Sequence, residues 1–158
     1  LRALFLSGFA GSNPAPRIMK PLRNAISYVI YKSGKFLIVK RPDDDVDLPS
    51  VWGLPAGSVK ENETFEQAVL RSGKEKLGVE LKIVKFVNEG DLGQENYILH
   101  LKLYEANIAK GELKVPQKVK GITQYQAWRW GASKDLVEAA WKGSLCCRLY
   151  LLSVNEKL

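Results

Sequence analysis

Three side chains that could act on a phosphate share one side of a predicted helix. Ser72, Glu75 and Lys76 are spaced i, i+3 and i+4, so a hydroxyl, a carboxylate and an ammonium group fall on one stripe. A carboxylate oxygen suits Mg²⁺ or accepts a proton, and a lysine ammonium contacts phosphate oxygens as a point charge. The helix is preceded by a loop at Gly57 and followed by Gly78. This loop, helix and loop pattern indicates a phosphate site.

The helix that must position this stripe has its own start and stop signals. Asn62 or Thr64 can cap its N-terminus, and Thr64 with Gln67 has the spacing of a capping box. Gly78 is a typical helix stop, whereas Gly73 in the middle costs about 1 kcal/mol relative to alanine and indicates close approach of another backbone. Another stripe is apolar and predicts packing on a sheet: Phe65, Ala68, Val69 and Leu77.

This segment resembles the signature box of the Nudix hydrolases, which reads G-x5-E-x7-R-E-U-x-E-E-x-G-U with U an aliphatic residue. The matching positions are Gly57, Glu63, Arg71, Glu75, Gly78 and Val79. Ser72 and Lys76 stand where the pattern has glutamates, and Gly73 stands at an aliphatic position. The segment before the box, residues 51–57, is also similar to the approach to the box in this family.

The resemblance implies hydrolysis of a diphosphate bond assisted by Mg²⁺ or Mn²⁺, which the carboxylates of the helix stripe would hold. Lys76 reverses the charge of one expected glutamate and Ser72 removes another negative charge, so a cluster of several metal ions is disfavoured. Glu75, the Gly57 carbonyl and the substrate phosphates could instead hold a single weakly bound ion. Alternatively, Lys76 contacts the phosphate directly, or it is an ordinary solvated lysine.

Each residue of the box therefore receives a predicted role. Glu75 is the predicted catalytic residue, as metal ligand or general base, and Lys76 is the predicted catalytic phosphate contact. Substrate contacts are predicted at Gly57, Arg71 and Lys76. The resemblance implies that Glu63 pairs with Arg71 and braces the loop against the helix. Ser72 is predicted to support the site structurally, without contacting the substrate.

Acidic residues outside the box could supply missing metal ligands. Two groups precede the box and a later strand: Asp43, Asp44, Asp45 and Asp47, and then Glu89, Asp91 and Glu95. The first group is more typical of a solvated turn. Many Nudix enzymes use a further glutamate before the last strand, but residues 114–130 contain none. His100 is predicted to be a packing or rim residue rather than a base.

The rest of the sequence predicts strands around this helix. Residues 25–31 and 35–40 are β-branched and aromatic runs joined by Ser33 and Gly34, which predicts a hairpin. Further strands are predicted over residues 80–87, 97–105 and 126–130. Helices are predicted from Ser133 to about residue 142 and over residues 145–152. This order predicts an α+β fold, and the resemblance implies a Nudix-like α/β/α sandwich with a mixed sheet.

A single Nudix-like domain is predicted over residues 19–158, because a chain with 46% apolar residues can bury a sizeable core. Residues 1–18 are predicted to be an extension or leader outside the fold, with Met19 as the natural start. No membrane segment is expected after Met19. Cys146 and Cys147 are predicted to be buried thiols, since a disulfide between neighbours is strained, and this favours a cytoplasmic location.

The net charge of +7 favours an anionic partner. Four lysines before the last strand could steer a nucleotide or nucleic acid, or simply form a solvated loop: Lys110, Lys114, Lys118 and Lys120. Three functions follow. The first is a Nudix-type pyrophosphohydrolase acting on a nucleoside diphosphate derivative or nucleotide. The alternatives are a non-catalytic nucleotide-binding module and an RNA-binding accessory protein. A homodimer is expected by similarity to other Nudix-like domains.

Overall fold

The computed structural model describes residues 19–154, and the predictions for residues 1–18 lie outside this range. The strands are β1 (Leu22–Val29), β2 (Tyr31–Lys32), β3 (Lys35–Lys40), β4 (Trp52–Gly53), β5 (Ala56–Ser58), β6 (Glu80–Gly93), β7 (Ile98–Lys110), β8 (Lys118–Val119), β9 (Ile122–Thr123) and β10 (Ala127–Gly131). The helices are α1 (Phe65–Ser72), which continues as a π-helix (Gly73–Leu77), α2 (Val137–Trp141), which follows a 3₁₀ turn (Ser133–Leu136), and α3 (Leu145–Ser153). None of these described helices is long and apolar enough to cross a bilayer.

The strands form two main sheets. The first has the order β5-β1-β7-β6, in which β1 and β7 are parallel and the other pairs are antiparallel. The second has the order β10-β3-β2, with β4 also paired to β3. Strands β8 and β9 pair separately. The predicted mixed sheet is therefore confirmed.

Buried residues alternate along the central strands between two hydrophobic cores. On β1, Ala25 and Val29 pack with residues of α2 and α3, whereas Ile26 and Tyr28 pack with residues of α1. Strand β3 alternates in the same way. Because side chains of a strand point to opposite faces in turn, both faces of the sheets are covered by helices. This is the predicted α/β/α sandwich.

The predicted hairpin is only partly correct. Ser33 and Gly34, with φ of 51° and 80°, form the turn between β2 and β3, as in a type I′ hairpin. Strand β1, however, leaves the hairpin and lies between β5 and β7 in the other sheet. Residues 25–29 are all buried, so both faces of β1 and both of its edges need partners. Those partners are distant in sequence, which is why local pattern alone does not identify them.

The predicted signals around α1 are present. The Thr64 hydroxyl accepts from the Gln67 N–H and the Gln67 side chain accepts from the Thr64 N–H, which forms the capping box. Thr64 is the cap, while Asn62 precedes it with φ of 64°. Gly78 ends the π-helix with φ of 71°. At the predicted helix start near Ser133, the cap differs, because the Asp135 carboxylate accepts from the Ala132 N–H at 2.8 Å.

Gly73 lies in a crowded place, but the closest neighbour is a side chain and not the backbone that the sequence predicts. A Cβ atom at Gly73 would lie 2.6 Å from both Cγ and Cδ1 of Leu81 and 3.3 Å from the Val79 carbonyl oxygen. Leu81 is itself buried. The nearest neighbour is therefore a core side chain, and it leaves no room for a methyl group.

We expect Gly73→Ala to destabilise the fold by about 1 kcal/mol, because overpacking costs about 1–3 kcal/mol and alanine recovers only about 1 kcal/mol of helix propensity. Urea unfolding measures this cost. The same substitution made in a Leu81→Ala background should cost nothing, since the clashing atoms are gone. A Gly73→Ala variant as stable as the wild type would contradict this account of the π-helix packing.

Candidate active site at the Gly57 loop

Strand β5 brings Gly57 over the helix stripe that the sequence singles out. Gly57 pairs with Ile26 of β1. A Cβ atom at Gly57 would lie 3.4 Å from the Lys76 Nζ and 3.5 Å from the Ser72 Oγ. Three of the predicted site residues, Gly57, Ser72 and Lys76, are therefore neighbours in space.

Lys76 is a half-buried cation held by uncharged groups. Its Nζ donates to the Ala56 carbonyl at 2.5 Å and lies 5.4 Å from the centroid of the Tyr125 ring. Among the ion pairs of residues 19–154, none includes Lys76. Its positive charge is thus directed into the site without a neutralising carboxylate.

Tyr125 is a site residue that was not predicted. Its hydroxyl accepts from the Ala56 N–H at 2.8 Å and donates to the Ala56 carbonyl at 3.0 Å. This pair of bonds fixes the backbone of Ala56, whose carbonyl also accepts from Lys76. Tyr125 comes from the segment between β9 and β10 and is buried. A single tyrosine in a loop carries no sequence signal for such a role, because its partner is about seventy residues away.

Arg71 joins the loop to the helix. Its Nε and Nη2 donate to the two carboxylate oxygens of Glu63 at 2.8 and 3.0 Å, and Nη2 also donates to the Ser58 carbonyl at 2.7 Å. Hydrogen bonding from Arg71 lowers the pKa of Glu63 to about 2. The Glu63 and Arg71 pairing that the resemblance implies is therefore present in the structure. The Glu63 carboxylate and the Ser58 carbonyl thus already accept from the Arg71 guanidinium group. The role of Arg71 as a substrate contact stays a prediction.

Glu75 faces Arg71 rather than the space beneath Gly57. Its Oε1 accepts from the Arg71 Nη1 at 3.0 Å. Arg71 and Glu75 are spaced i, i+4, so their side chains are neighbours on the helix surface and can pair. Lys76, by contrast, lies close to Ser72 beneath Gly57.

Ser72 belongs to the core as much as to the site. It is 1% exposed, and its hydroxyl lies 2.9 Å from the Tyr28 hydroxyl. Burial raises the pKa of Tyr28 well above its usual value, so this phenol stays neutral. The hydrogen bond satisfies both buried groups, which is consistent with the predicted supporting role of Ser72.

The donor atoms at this site do not fit a resident cluster of divalent metal ions. Nudix hydrolases generally use divalent metals. Here, however, the Glu75 carboxylate is bonded to Arg71, the Ser72 hydroxyl is bonded to Tyr28, and the Lys76 ammonium occupies the Ala56 carbonyl. Within residues 19–154, no group of three or more His, Cys, Asp or Glu side chains could hold a metal ion.

A cavity of about 870 Å³ opens from this site across the first sheet. Gly57, Ser58 and Lys76 line one end. The floor and rim are formed by Ala25, Leu92, Leu99 and Leu101, and by Gln94, Tyr97, Thr123 and Gln124. Ser58, Ala25 and Leu101 are paired across β5, β1 and β7, so the apolar floor extends about 10 Å from the loop, or two strand spacings. The aromatic residues that line the cavity are Tyr97 and Tyr125.

The acidic residues outside the box do not complete a metal site. Asp45 accepts from Arg41 at 3.0 Å and from the Leu48 N–H at 2.8 Å, so it stabilises its own loop. Asp47 lines the cavity but is exposed. Glu89 and Asp91 flank His100 at 3.2 and 2.5 Å. The His100 ring packs edge-on against Phe65, with centroids 6.0 Å apart, and His100 is not among the residues that line the cavity.

Comparisons with known proteins agree with the fold and with the signature segment. The family model described as the NUDIX domain matches residues 21–143. Nucleoside triphosphatase NudI from Escherichia coli is 27% identical over 120 residues, which are 73% of this chain and 85% of NudI. The crystal structure of MutT NUDIX hydrolase from Burkholderia pseudomallei has 25% identity and a TM-score of 0.61, covering 73% of this chain and 87% of that one. An ADP-ribose pyrophosphatase from Streptococcus suis has 16% identity and a TM-score of 0.58, covering 86% and 94%, and shows similarity of fold alone.

The Arg71 network predicts a loss of stability in acid. Because the folded pKa of Glu63 is depressed to about 2, its contribution is complete above the unfolded pKa of about 4.3 and is lost as the pH falls toward 2. We therefore expect Glu63→Gln to destabilise the protein by about 1 kcal/mol at pH 7 and by about half of that at pH 3, which is still about one unit above the folded pKa. Urea unfolding at both pH values measures the difference. Glu61→Gln, at an exposed position, is the control, and an equal cost of Glu63→Gln at both pH values would contradict the assignment.

Proposed function

The chain belongs to the NUDIX domain family, and from that premise we propose that it hydrolyses a diphosphate bond in a nucleoside diphosphate derivative or a nucleotide. Family membership supports a pyrophosphohydrolase-type enzyme, and Nudix homologues act on nucleotide-derived small molecules. The observation that carries the finer proposal is the form of the cavity. One end presents the Gly57 loop and the Lys76 ammonium, and an apolar floor follows.

The proposed substrate lies along this cavity with its diphosphate at Gly57. Glycine lacks a side chain there, so phosphate oxygens can approach the backbone above Lys76. Lys76 supplies a positive charge that offsets the charge of the diphosphate. The floor around Leu99 and Leu101 would then receive the apolar or planar part of the ligand, at about the distance of two strands from the loop.

Hydrolysis requires a water oxygen to attack phosphorus while a bridging P–O bond breaks. The proton of the water passes to a base, and the leaving phosphate gains negative charge. Glu75 is the carboxylate of the helix stripe and is the proposed base: its Oε1 stays bonded to Arg71, which positions it, and its Oε2 would take the proton directly or through one water molecule. Lys76 would stabilise the charge that develops on the phosphate.

The expected Mg²⁺ or Mn²⁺ was a single ion shared by Glu75, the Gly57 carbonyl and the substrate phosphates. In the structure, the Glu75 Oε1 is already bonded to Arg71, and the ion would lie beside the Lys76 ammonium. Both contacts disfavour the ion, because one carboxylate oxygen is already used and like charges repel. The proposed phosphate contact is therefore Lys76, and no step of the proposed reaction depends on a bound metal ion.

A second candidate function is a nucleotide-binding module without turnover. The observation that favours it is that Ser72 and Glu75 are both occupied by partners within the protein. For RNA, the lysine-rich segment gives no specific support, since its four lysines are exposed, as in a solvated loop. A homodimer and a cytoplasmic location remain predictions.

The first test is release of phosphate and pyrophosphate from nucleoside triphosphates, nucleoside diphosphate sugars and dinucleoside polyphosphates, with and without Mg²⁺ or Mn²⁺. We expect turnover of at least one compound, and a loss of about 100-fold or more in Glu75→Gln, because general bases contribute about 10²–10⁴-fold. Glu61→Gln is the matched control, since Glu61 is an exposed residue that precedes the helix.

Full activity in Glu75→Gln would place the chemistry on another residue. Absence of turnover on every compound, in protein that still binds a nucleotide, would replace the hydrolase by the second candidate.

A further inference from the structure

We infer that the Lys76 ammonium takes the place of a metal ion as the counter-charge, so that nucleoside diphosphates bind this cavity without a metal ion. This inference rests on the proposed function in one respect, the position of the diphosphate at Gly57. It goes further because it specifies what neutralises the ligand, and it departs from the general use of divalent metals by Nudix hydrolases.

The charges around the cavity leave Lys76 available to a ligand. Three cationic residues are among those that line it: Arg41, Lys76 and Lys142. The Arg41 Nη1 lies 3.0 Å from Asp45, and the Lys142 Nζ lies 2.8 Å from Glu138. Lys76 takes part in none of the ion pairs found among residues 19–154. Asp47 is the unpaired carboxylate of the lining, but it is exposed and therefore screened by solvent.

The hydrogen bonding of Lys76 leaves donors for phosphate oxygens. An ammonium group has three N–H donors, and the Ala56 carbonyl is the acceptor that Lys76 contacts in the structure. That carbonyl is also held by the Tyr125 hydroxyl at 3.0 Å, so the ammonium is anchored to a fixed peptide. The remaining donors have no acceptor among the described residues, and Lys76 lines the cavity. Because the side chain is half-buried, its attraction to an anion is less weakened by water than that of a surface lysine.

The same arrangement disfavours a metal ion at this place. A divalent ion beneath Gly57 would meet the Lys76 ammonium, which lies 3.4 Å from the position of a Gly57 Cβ. The nearest carboxylate of the helix stripe is bonded to Arg71. The Lys76 ammonium would repel the metal ion, and the Glu75 carboxylate that should bind the ion is paired with Arg71. The ammonium is therefore the better counter-charge for a diphosphate.

Isothermal titration calorimetry with ADP tests this inference. We expect the wild-type Kd in EDTA to lie within about threefold of that in Mg²⁺, since the lysine rather than an ion provides the contact. Lys76→Met should weaken ADP binding by about tenfold or more in both media, the effect of losing a hydrogen bond to a charged group. Lys74→Met is the matched control, because Lys74 is exposed on the same helix, and it should bind as the wild type does.

Lys76→Glu gives the reciprocal result. With a carboxylate at this position, ADP binding should be lost in EDTA and recovered in part with Mg²⁺ or Mn²⁺, because an oxygen ligand replaces the ammonium. Thermal unfolding of each variant checks that the fold is retained, and the comparison of wild-type binding in the two media needs no variant.

Wild-type binding that requires Mg²⁺ would overturn this inference and leave the proposed hydrolase intact, as would unchanged binding in Lys76→Met. Failure of ADP to bind in either medium would also overturn this inference, whereas the proposed hydrolase would be decided by turnover of the substrate panel.

Discussion

The hydrogen bond between the Lys76 ammonium and the Ala56 carbonyl is the contact on which the rest of the site depends. It requires a helix that ends in a π-turn, so that Lys76 points at β5. It also requires Gly57, whose missing side chain leaves the ammonium open to the cavity. Tyr125 completes the contact by binding both backbone polar groups of Ala56. The sheet, the helix and a distant loop thus converge on one residue.

The charges of the signature segment are divided between two places. Glu63, Arg71 and Glu75 form a continuous ionic group that fixes the loop against the helix. Lys76 lies on the other side without a carboxylate partner among the described residues. In a site that holds metal ions, carboxylates would have to face the phosphate. Here they face an arginine, and the group that faces the phosphate position is itself positive. This separation is the basis for the proposal that Lys76, rather than a metal ion, supplies the counter-charge in a segment that keeps the Nudix pattern.

The sequence predicted those parts of the structure that depend on local signals. The capping box at Thr64, the stop at Gly78 and the apolar stripe of α1 follow from neighbouring residues, and so does the α/β/α arrangement once the box is recognised. Two features could not be predicted, because each depends on contacts between segments that are distant in sequence. Strand β1 pairs with residues far along the chain, and Tyr125 reaches the site only through the tertiary fold. The pairing of Glu75 with Arg71 is local, but its i, i+4 spacing does not decide whether the carboxylate faces the arginine or the phosphate.

A crystal structure of the protein with ADP, grown in the presence of Mg²⁺, tests the central claim most directly. The account predicts a phosphate oxygen at about 2.7–2.9 Å from the Lys76 Nζ, with no metal ion between them and with Glu75 still bonded to Arg71. A Mg²⁺ ion that joins the phosphate to Glu75, with Lys76 turned away from the ligand, would contradict it.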